Sequence, residues 1–311
     1  MKLRIFLEPQ QGASYLAQLR VAQAAEHYGF DAVFRSDHYL RMGEGSGEPG
    51  PTDAWITLGA LARETSSIRL GTLLTAATFR YPGPLAIAVA QVDEMSSGRV
   101  ELGLGAGWYT EEHRAYGIPF PPMPERFKRL EEQLSIIRGL WTSPLGEQFD
   151  FTGEFYQLHD SPALPKPRQQ PHPPIIVGGL GPTRTPMLAA RFADEFNVPF
   201  ANVDTVAELG GRADDACRSI DRDPTSLLRS VALVVCAGES AEEVSHRASR
   251  IGRDVDELRQ NGLAGEPSEV IAQIEAYRAV GVERIYLQLL DMSDLAQLEL
   301  IGRSILPQVS Q

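Results

Sequence analysis

The stretch Asp31-Ala32-Val33-Phe34-Arg35-Ser36-Asp37-His38, "DAVFRSDH", decides how the rest of the chain is read. An apolar run of strand length stops at two titratable residues, and a long connection then leads into a helical pattern. A strand that ends in polar chemistry and hands over to a helix is one β/α unit. The question is how often that unit recurs.

Working outward, apolar runs lie at 3–9, 31–36, 68–75, 99–107, 174–179, 195–200, 229–236 and 284–290. Most are followed by a helical pattern. In 125–141, Phe127, Leu130, Leu134, Ile137 and Trp141 fall on one helical face with charges opposite. In 267–280, Pro267 suits the first helical position and Gly281 the stop, with Val270, Ile274 and Tyr277 on the buried side. Strand–helix alternation predicts a parallel sheet covered by helices. About eight such units in 311 residues favour an α/β fold of the (β/α)8 TIM-barrel type over an open doubly wound sheet. An open sheet asks for a Gly-rich dinucleotide turn after the first strand, and Glu8-Pro9-Gln10-Gln11-Gly12 does not supply one.

Residues 143–173, rich in Pro and turn formers, break the rhythm and are predicted to be an insertion before the fifth strand, with a short hairpin around Phe149–Leu158. The whole of 1–311 is expected to form a single barrel domain around that insertion. The loop 43–50, "GEGSGEPG", lies where a lid could sit. Segments 39–52 and 143–173 are expected to wall the substrate site.

A hydrophobic content of 43% with 23% charged residues marks a soluble globular chain. The net charge of −12 argues against a nucleic-acid or anionic-membrane partner. The densest basic cluster, Arg126, Lys128 and Arg129, lies among Glu125, Glu131 and Glu132 and reads as a solvated helix face. Cys217 and Cys236 have no CxxC neighbour and read as reduced packing residues. The N-terminus "MKLRIFLEPQ" lacks a signal-peptide core and no apolar run approaches a membrane span, so a cytoplasmic protein is expected.

In a barrel the site lies at the C-terminal ends of the strands. His38 can give or take a proton near neutral pH, and Asp37 could orient a cofactor amide or a water. The bland alternative is a histidine satisfied by a loop carbonyl. "GLGAGWY" (103–109) places Gly103, Gly105 and Gly107 where a planar ligand or phosphate can approach the backbone, or where strand and helix simply pack closely. Trp108 and Tyr109 either flank a ring system or cap the core. "VGGLGPTRT" (177–185) frees N–H groups at Gly178, Gly179 and Gly181 before a candidate helix, and Arg184 could add a guanidinium to a phosphate. Glu111, Glu112 and His113 do not have HExxH spacing, and no HxH ends the first strand, so no metal site is expected.

Together these motifs resemble the luciferase-like monooxygenase superfamily, in particular its actinobacterial branch of F420-dependent oxidoreductases. The stretches that carry the resemblance are 36–38, 71–86, 96–132, 171–185 and 265–288. The resemblance implies a barrel with an insertion, usually dimeric, holding a flavin or deazaflavin across its C-terminal mouth. It implies that Asp37 contacts the deazaflavin ring and that His38 handles the proton. It implies a non-proline cis peptide at Leu73-Leu74, backing the ring together with Thr75. Gly105, Ala106, Gly107 and Trp108, with Val177, Gly178, Gly179 and Gly181, would line the ring and phosphate tail, Arg184 lying nearby.

Two departures stand out. Sugar-phosphate dehydrogenases of the superfamily carry a tryptophan shortly after the SDH motif, where this chain has Tyr39-Leu40-Arg41-Met42. Their glutamate after the fourth-strand glycines is replaced by Trp108 and Tyr109. Glucose-6-phosphate dehydrogenase activity is therefore not the expectation, and the substrate stays open. The leading expectation is hydride transfer between F420 and a small organic substrate. The alternatives are an FMN-dependent two-component monooxygenase fed by a separate reductase, and a non-enzymatic flavin- or deazaflavin-binding protein.

Overall fold

Eight parallel strands close on themselves. They are β1 (Lys2–Leu7), β2 (Ala32–Arg35), β3 (Arg69–Thr72), β4 (Val100–Gly105), β5 (Ile175–Gly178), β6 (Glu195–Pro199), β7 (Leu228–Ala237) and β8 (Arg284–Leu289). The coordinates are a computed structural model that describes residues 1–310. Closure is made by β8, which pairs in parallel with β7 and with β1, where Lys2 lies beside Arg284 and Leu7 beside Leu289. All eight strands fall within or beside the runs expected from the sequence. The strand pair Thr75–Ala76 resumes pairing with β4 just after the Leu73–Leu74 peptide, which is cis.

These strands read as continuous apolar runs because both faces are covered. One alternate set points into the barrel, where Phe6, Phe34, Ile176, Ala232 and Tyr286 form an inner cluster. The other set, including Ile5, Val33, Val177, Val231 and Ile285, packs against the surrounding helices. Both cysteines are free and buried.

The base of the barrel interior is ionic. Buried Arg4 donates to Asp31 (2.7 Å), to both oxygens of Glu101 (2.7 and 3.0 Å) and to the Tyr286 hydroxyl (3.0 Å). Tyr286 donates to Glu195 at 2.7 Å, and Arg69 and Arg284 complete the partners of Glu101 and Glu195. Burial alone would raise the pKa of Glu101, but Arg4, Arg69 and Arg284 outweigh it and hold that carboxyl well below the usual range.

The helices that matter for the site are α1 (Tyr15–His27), α2 (Ala54–Glu64), α3 (Pro82–Met95), α4 (Thr110–Ala115), α5 (Met123–Thr142) and α6 (Arg184–Phe192). Asp53 caps α2 by accepting the N–H groups of Trp55 and Ile56 at 2.9 and 3.0 Å. The helix expected from the Pro267 signature spans Pro267–Ala279, closed at its start by a reciprocal Glu266–Glu269 capping box. Among the described residues, no helix is long and apolar enough to cross a membrane.

The insertion contains the expected hairpin, with Phe149–Thr152 antiparallel to Gln157–Ser161. It is fastened to α5: Glu132 accepts the N–H groups of Glu154, Phe155 and Tyr156 at 2.7, 3.1 and 3.1 Å. The Phe149 ring fills the space at Gly139, where a Cβ would overlap it. The hairpin therefore packs on the barrel flank, away from the site.

Candidate functional site

A cavity of about 460 Å³ opens at the C-terminal ends of the strands, within the range of small-molecule sites. Its lining reproduces strand alternation. In the second unit Phe34 faces the barrel interior, and two and four residues on, Ser36 and His38 line the cavity above it. Phe6 and Glu8 do the same at the end of β1, and Ile176 and Gly178 at β5. Leu73 and Leu74 form part of the apolar lining, with Thr75 and Ala76 beside them.

The same alternation corrects two expectations. Asp37 is out of phase with Ser36 and His38 and does not line the cavity. Its buried carboxylate pairs with Arg80 and accepts the Thr75 hydroxyl at 2.9 Å. Arg80 continues to the Tyr39 hydroxyl at 2.9 Å and to Asp53. Asp37 thus fixes Thr75, a lining residue, from behind. Val177, out of phase with Gly178, lies in the helix-facing core. Arg184 is a third correction: it is exposed, sits over the Phe127 ring at 5.7 Å and is not part of the lining.

Leu73, Leu74, Thr75, Gly105, Ala106, Gly107, Trp108, Gly178, Gly179, Gly181 and His38 do border the cavity. Gly107 has φ +78°, and a Cβ there would come within 3.1 Å of the Thr78 hydroxyl. At Gly178 a Cβ would meet the Asn197 carbonyl at 2.7 Å. Gly103, by contrast, is a packing glycine: its Cβ would overlap the Thr72 carbonyl.

His38 is held by a residue whose role the sequence did not reveal. Nδ1 lies 2.9 and 3.1 Å from the two oxygens of Glu112, a buried residue of α4. The Tyr39 N–H donates to the same carboxylate at 2.9 Å. Trp108 and Tyr109 meet the imidazole edge-on at 5.8 and 6.2 Å between centroids. Nε2 makes no hydrogen bond among the described residues, so it is the nitrogen available to a ligand. Glu112 fixes the tautomer that keeps a proton on Nδ1. The next residue turns elsewhere: His113 bonds the Thr78 hydroxyl and the Tyr109 carbonyl, both at 2.7 Å. Among the described residues, no group of three or more His, Cys, Asp or Glu is arranged to hold a metal ion.

Two more residues were missed. Arg126, expected on a solvated face, is 7% exposed and borders the cavity. Met123, Arg126, Phe127 and Leu130 share one face of α5, so the arginine is carried inward with the apolar stripe. Its guanidinium lies 3.8 Å over the Phe120 ring and donates to the Pro121 carbonyl at 3.2 Å, while Nε has no partner. Lys128 and Arg129 do keep the expected solvated role, pairing with Glu154 and Glu125. Glu8 borders the cavity near His38; burial raises its pKa, against the opposing pull of His38 and of the Gln10, Gln11 and Gln288 amides. No residue of 39–52 or 143–173 lines the cavity, so neither segment forms the expected wall.

A parallel barrel with a large cavity at its strand ends, a carboxylate-held histidine in the wall and glycine-lined approaches has the layout of a barrel that takes a small-molecule ligand at its mouth. The particular family is given by comparison: residues 1–256 match the model of the luciferase-like monooxygenases, and the chain belongs to that family. It is similar to the F420-dependent glucose-6-phosphate dehydrogenase of Nakamurella multipartita, 40% identical over 193 residues. That match covers 60% of this chain and 52% of the relative, so the chain spans about half the length of that relative. It is also similar to the FMNH(2)-dependent dimethylsulfone monooxygenase of Pseudomonas putida, 25% identical with 94% of this chain and 87% of the relative covered. Among solved structures, an F420-dependent secondary alcohol dehydrogenase in complex with an F420-acetone adduct superposes with a TM-score of 0.84, covering 98% of both chains at 20% identity, which is a likeness of fold.

Proposed function

We propose that the protein is an oxidoreductase that exchanges a hydride between the deazaflavin F420 and a small organic substrate. The observation that carries the reading is the convergence, in one cavity, of His38 Nε2, the leucine-rich wall at Leu73–Leu74, two glycine approaches and a buried guanidinium with an unpartnered Nε. Membership of the family and similarity to an F420-dependent relative support the choice of cofactor class.

The residues present fit such a group. Leu73, Leu74 and Ala106 offer apolar contact to a ring, and Gly105 and Gly107 let it approach the backbone. Gly178, Gly179 and Gly181 precede α6 and stand with Arg126 as the cavity's anion-binding side. When bound, the deazaflavin supplies the hydride chemistry. His38 holds or releases the accompanying proton at Nε2, and Glu112 steadies the imidazole through Nδ1. Asp37 and Arg80 keep Thr75 in place beside the ring site.

The alternative is FMN with oxygen, served by a separate reductase, and the similarity to the FMNH(2)-dependent relative favours keeping it in the test. Titrating the purified protein with F420 and with FMN, monitored by ligand fluorescence, should give the tighter Kd for F420. A tighter Kd for FMN sinks the F420 reading, and binding of neither sinks both.

A homodimer belongs to the same proposal. Ile56 (78% exposed) on α2, Tyr81 (73%) at the N-cap of the adjacent α3 and Ile87 (48%) on α3 itself present large apolar side chains to the surface. Light scattering should show a dimer that Ile56→Asp weakens. Buried, unpaired Cys217 and Cys236 support a reducing, cytoplasmic setting.

A further inference from the structure

Of the residues that border the cavity, four are exposed, and all four are large and apolar: Trp108, Met123, Leu180 and Phe200, at 46–64%. They come from different connections at the strand ends. Trp108 follows β4, Met123 opens α5, Leu180 follows β5 and Phe200 follows β6. The charged lining residues do not share this position. Glu112 and Arg126 are buried, and Glu8 and His38 are half-buried. Glu112 is engaged with His38 and the Tyr39 N–H, and the Arg126 guanidinium lies over Phe120. The opening is therefore ringed by apolar side chains left to water, which marks a binding surface.

Phe200 is held in this rim at a conformational cost. Its φ is +49°, in the left-handed region that a bulky side chain rarely enters. The other non-glycine residues with positive φ are Ser97, Asp160, Ala163 and Asp221, and none of them borders the cavity. The Phe200 N–H donates to the Ala232 carbonyl at 2.8 Å, which anchors the turn just past β6. The ring then lies 6.4 Å from that of Phe6, although β7 and β8 stand between β6 and β1 in the sheet. Phe200 thus leans inward over the barrel interior. Trp108 does the same from β4, meeting His38 beyond β2 at 5.8 Å and stacking on Tyr109 at 5.2 Å. Backbone strain of this kind persists where a ligand site requires it.

We propose that Trp108, Met123, Leu180 and Phe200 are the specificity-determining rim of the cavity, and that they select a neutral molecule built on an aromatic ring system. That this molecule is a substrate rests on the oxidoreductase reading above. Aromatic rings and a thioether favour an aromatic partner over an aliphatic one. A charged molecule would give up its hydration at a rim that offers no counter-charge. The less exposed leucine wall, the glycine approaches and Arg126 are left to the cofactor.

The test is calorimetric titration of the full chain, as purified and loaded with F420 or FMN, with 2-naphthamide, 2-naphthoate and glucose 6-phosphate. 2-Naphthamide should bind at least about tenfold tighter than 2-naphthoate, which shares its rings but is charged, and than glucose 6-phosphate. Phe200→Gly removes the ring and relieves the left-handed backbone. Its urea midpoint should be no lower than the parent's, its 2-naphthamide Kd about tenfold weaker and its cofactor Kd within about twofold. Phe200→Tyr should bind 2-naphthamide like the parent. Met123→Ser, which leaves the strained turn alone, should also weaken 2-naphthamide, by about threefold or more, and carries the test should Phe200→Gly not fold. Absence of 2-naphthamide binding, or binding no tighter than that of the two anions, overturns the substrate class. A 2-naphthamide Kd within about twofold of the parent in both Phe200→Gly and Met123→Ser overturns the rim, and so does a loss confined to the cofactor. A lowered midpoint in Phe200→Gly makes that ring a packing residue and removes it from the rim. If 2-naphthamide binds and neither F420 nor FMN does, the oxidoreductase reading fails and the rim stands as a ligand site; if a cofactor binds and 2-naphthamide does not, the rim fails and that reading stands.

Discussion

The two ends of the barrel interior use carboxyls in opposite ways. At the base, Glu101 is surrounded by Arg4, Arg69 and Arg284 and stays ionised. At the mouth, Glu8 has no cation to pair with and is pushed toward its neutral form. Burial penalises both in the same direction, and the neighbouring charges decide which form survives. The base is closed chemistry, with donors and acceptors matched to one another. At the mouth, His38 Nε2 and Arg126 Nε are left without protein partners. The first arrangement specifies a shape, and the second leaves capacity for a ligand.

The sharpest way to break this contrast is to remove a partner from the base. Glu101→Gln strands Arg4 and Arg69 with a lost counter-charge, and urea unfolding should show a loss of about 3–5 kcal/mol. A loss below about 1 kcal/mol would mean the network is not what holds the base together.

At the mouth, a comparable substitution should spare stability and damage function. His38→Ala should lower the rate of hydride exchange about 10²–10⁴-fold while F420 still binds and the urea midpoint barely moves. Turnover at the parent rate would remove His38 from the chemistry.

Arg126→Met is expected to be milder. It deletes a guanidinium that lacks a carboxylate partner and keeps the stem over Phe120, so the fold should hold or gain slightly. Cofactor affinity should drop about 10–100-fold, as for loss of a charge-assisted hydrogen bond. Unchanged affinity for both F420 and FMN would place the anion elsewhere.

The smallest effect, and the most direct on the contrast, is the sign of the pH dependence. Glu101 has a folded pKa below its unfolded value, so its contribution is present above the unfolded pKa and is lost as pH falls through the folded one. Glu8 has a raised folded pKa, so its contribution is present below the unfolded value and is lost as pH rises through the folded one. The stability deficit of Glu101→Gln should therefore shrink on acidification, whereas Glu8→Gln should gain on the parent as pH rises from about 4. Both variants moving in the same direction would collapse the distinction.

Much of the site was legible because position along a strand is a strong constraint. The chain order of strands, the glycine turns and His38 are all visible in the apolar runs and the few residues after each. Asp37 and Val177 were misplaced although the information was present: a period of two puts Phe34, Ser36 and His38 on one face and Asp37 on the other. Arg126 was misread by its charged neighbours, whereas its spacing from Phe127 and Leu130 pointed inward. Glu112 gave no such signal. It meets His38 from 74 residues away in the chain, through a short helix whose direction is fixed by the packing of Tyr109 and His113.

The amino-acid sequence by itself determined the alternation of strands and helices, the eight-unit count, the strand ends that border the cavity and the family to which the motifs point. Those properties are carried by local periodicity and by turn residues, which act over a few neighbours. Only the closed barrel decided that Glu8, His38, Glu112 and Arg126 share one cavity, and that the loop 39–52 and the 143–173 hairpin stand outside it. Electrostatic partners and burial depend on contacts between residues distant in the chain, and these exist only once β8 has joined β1.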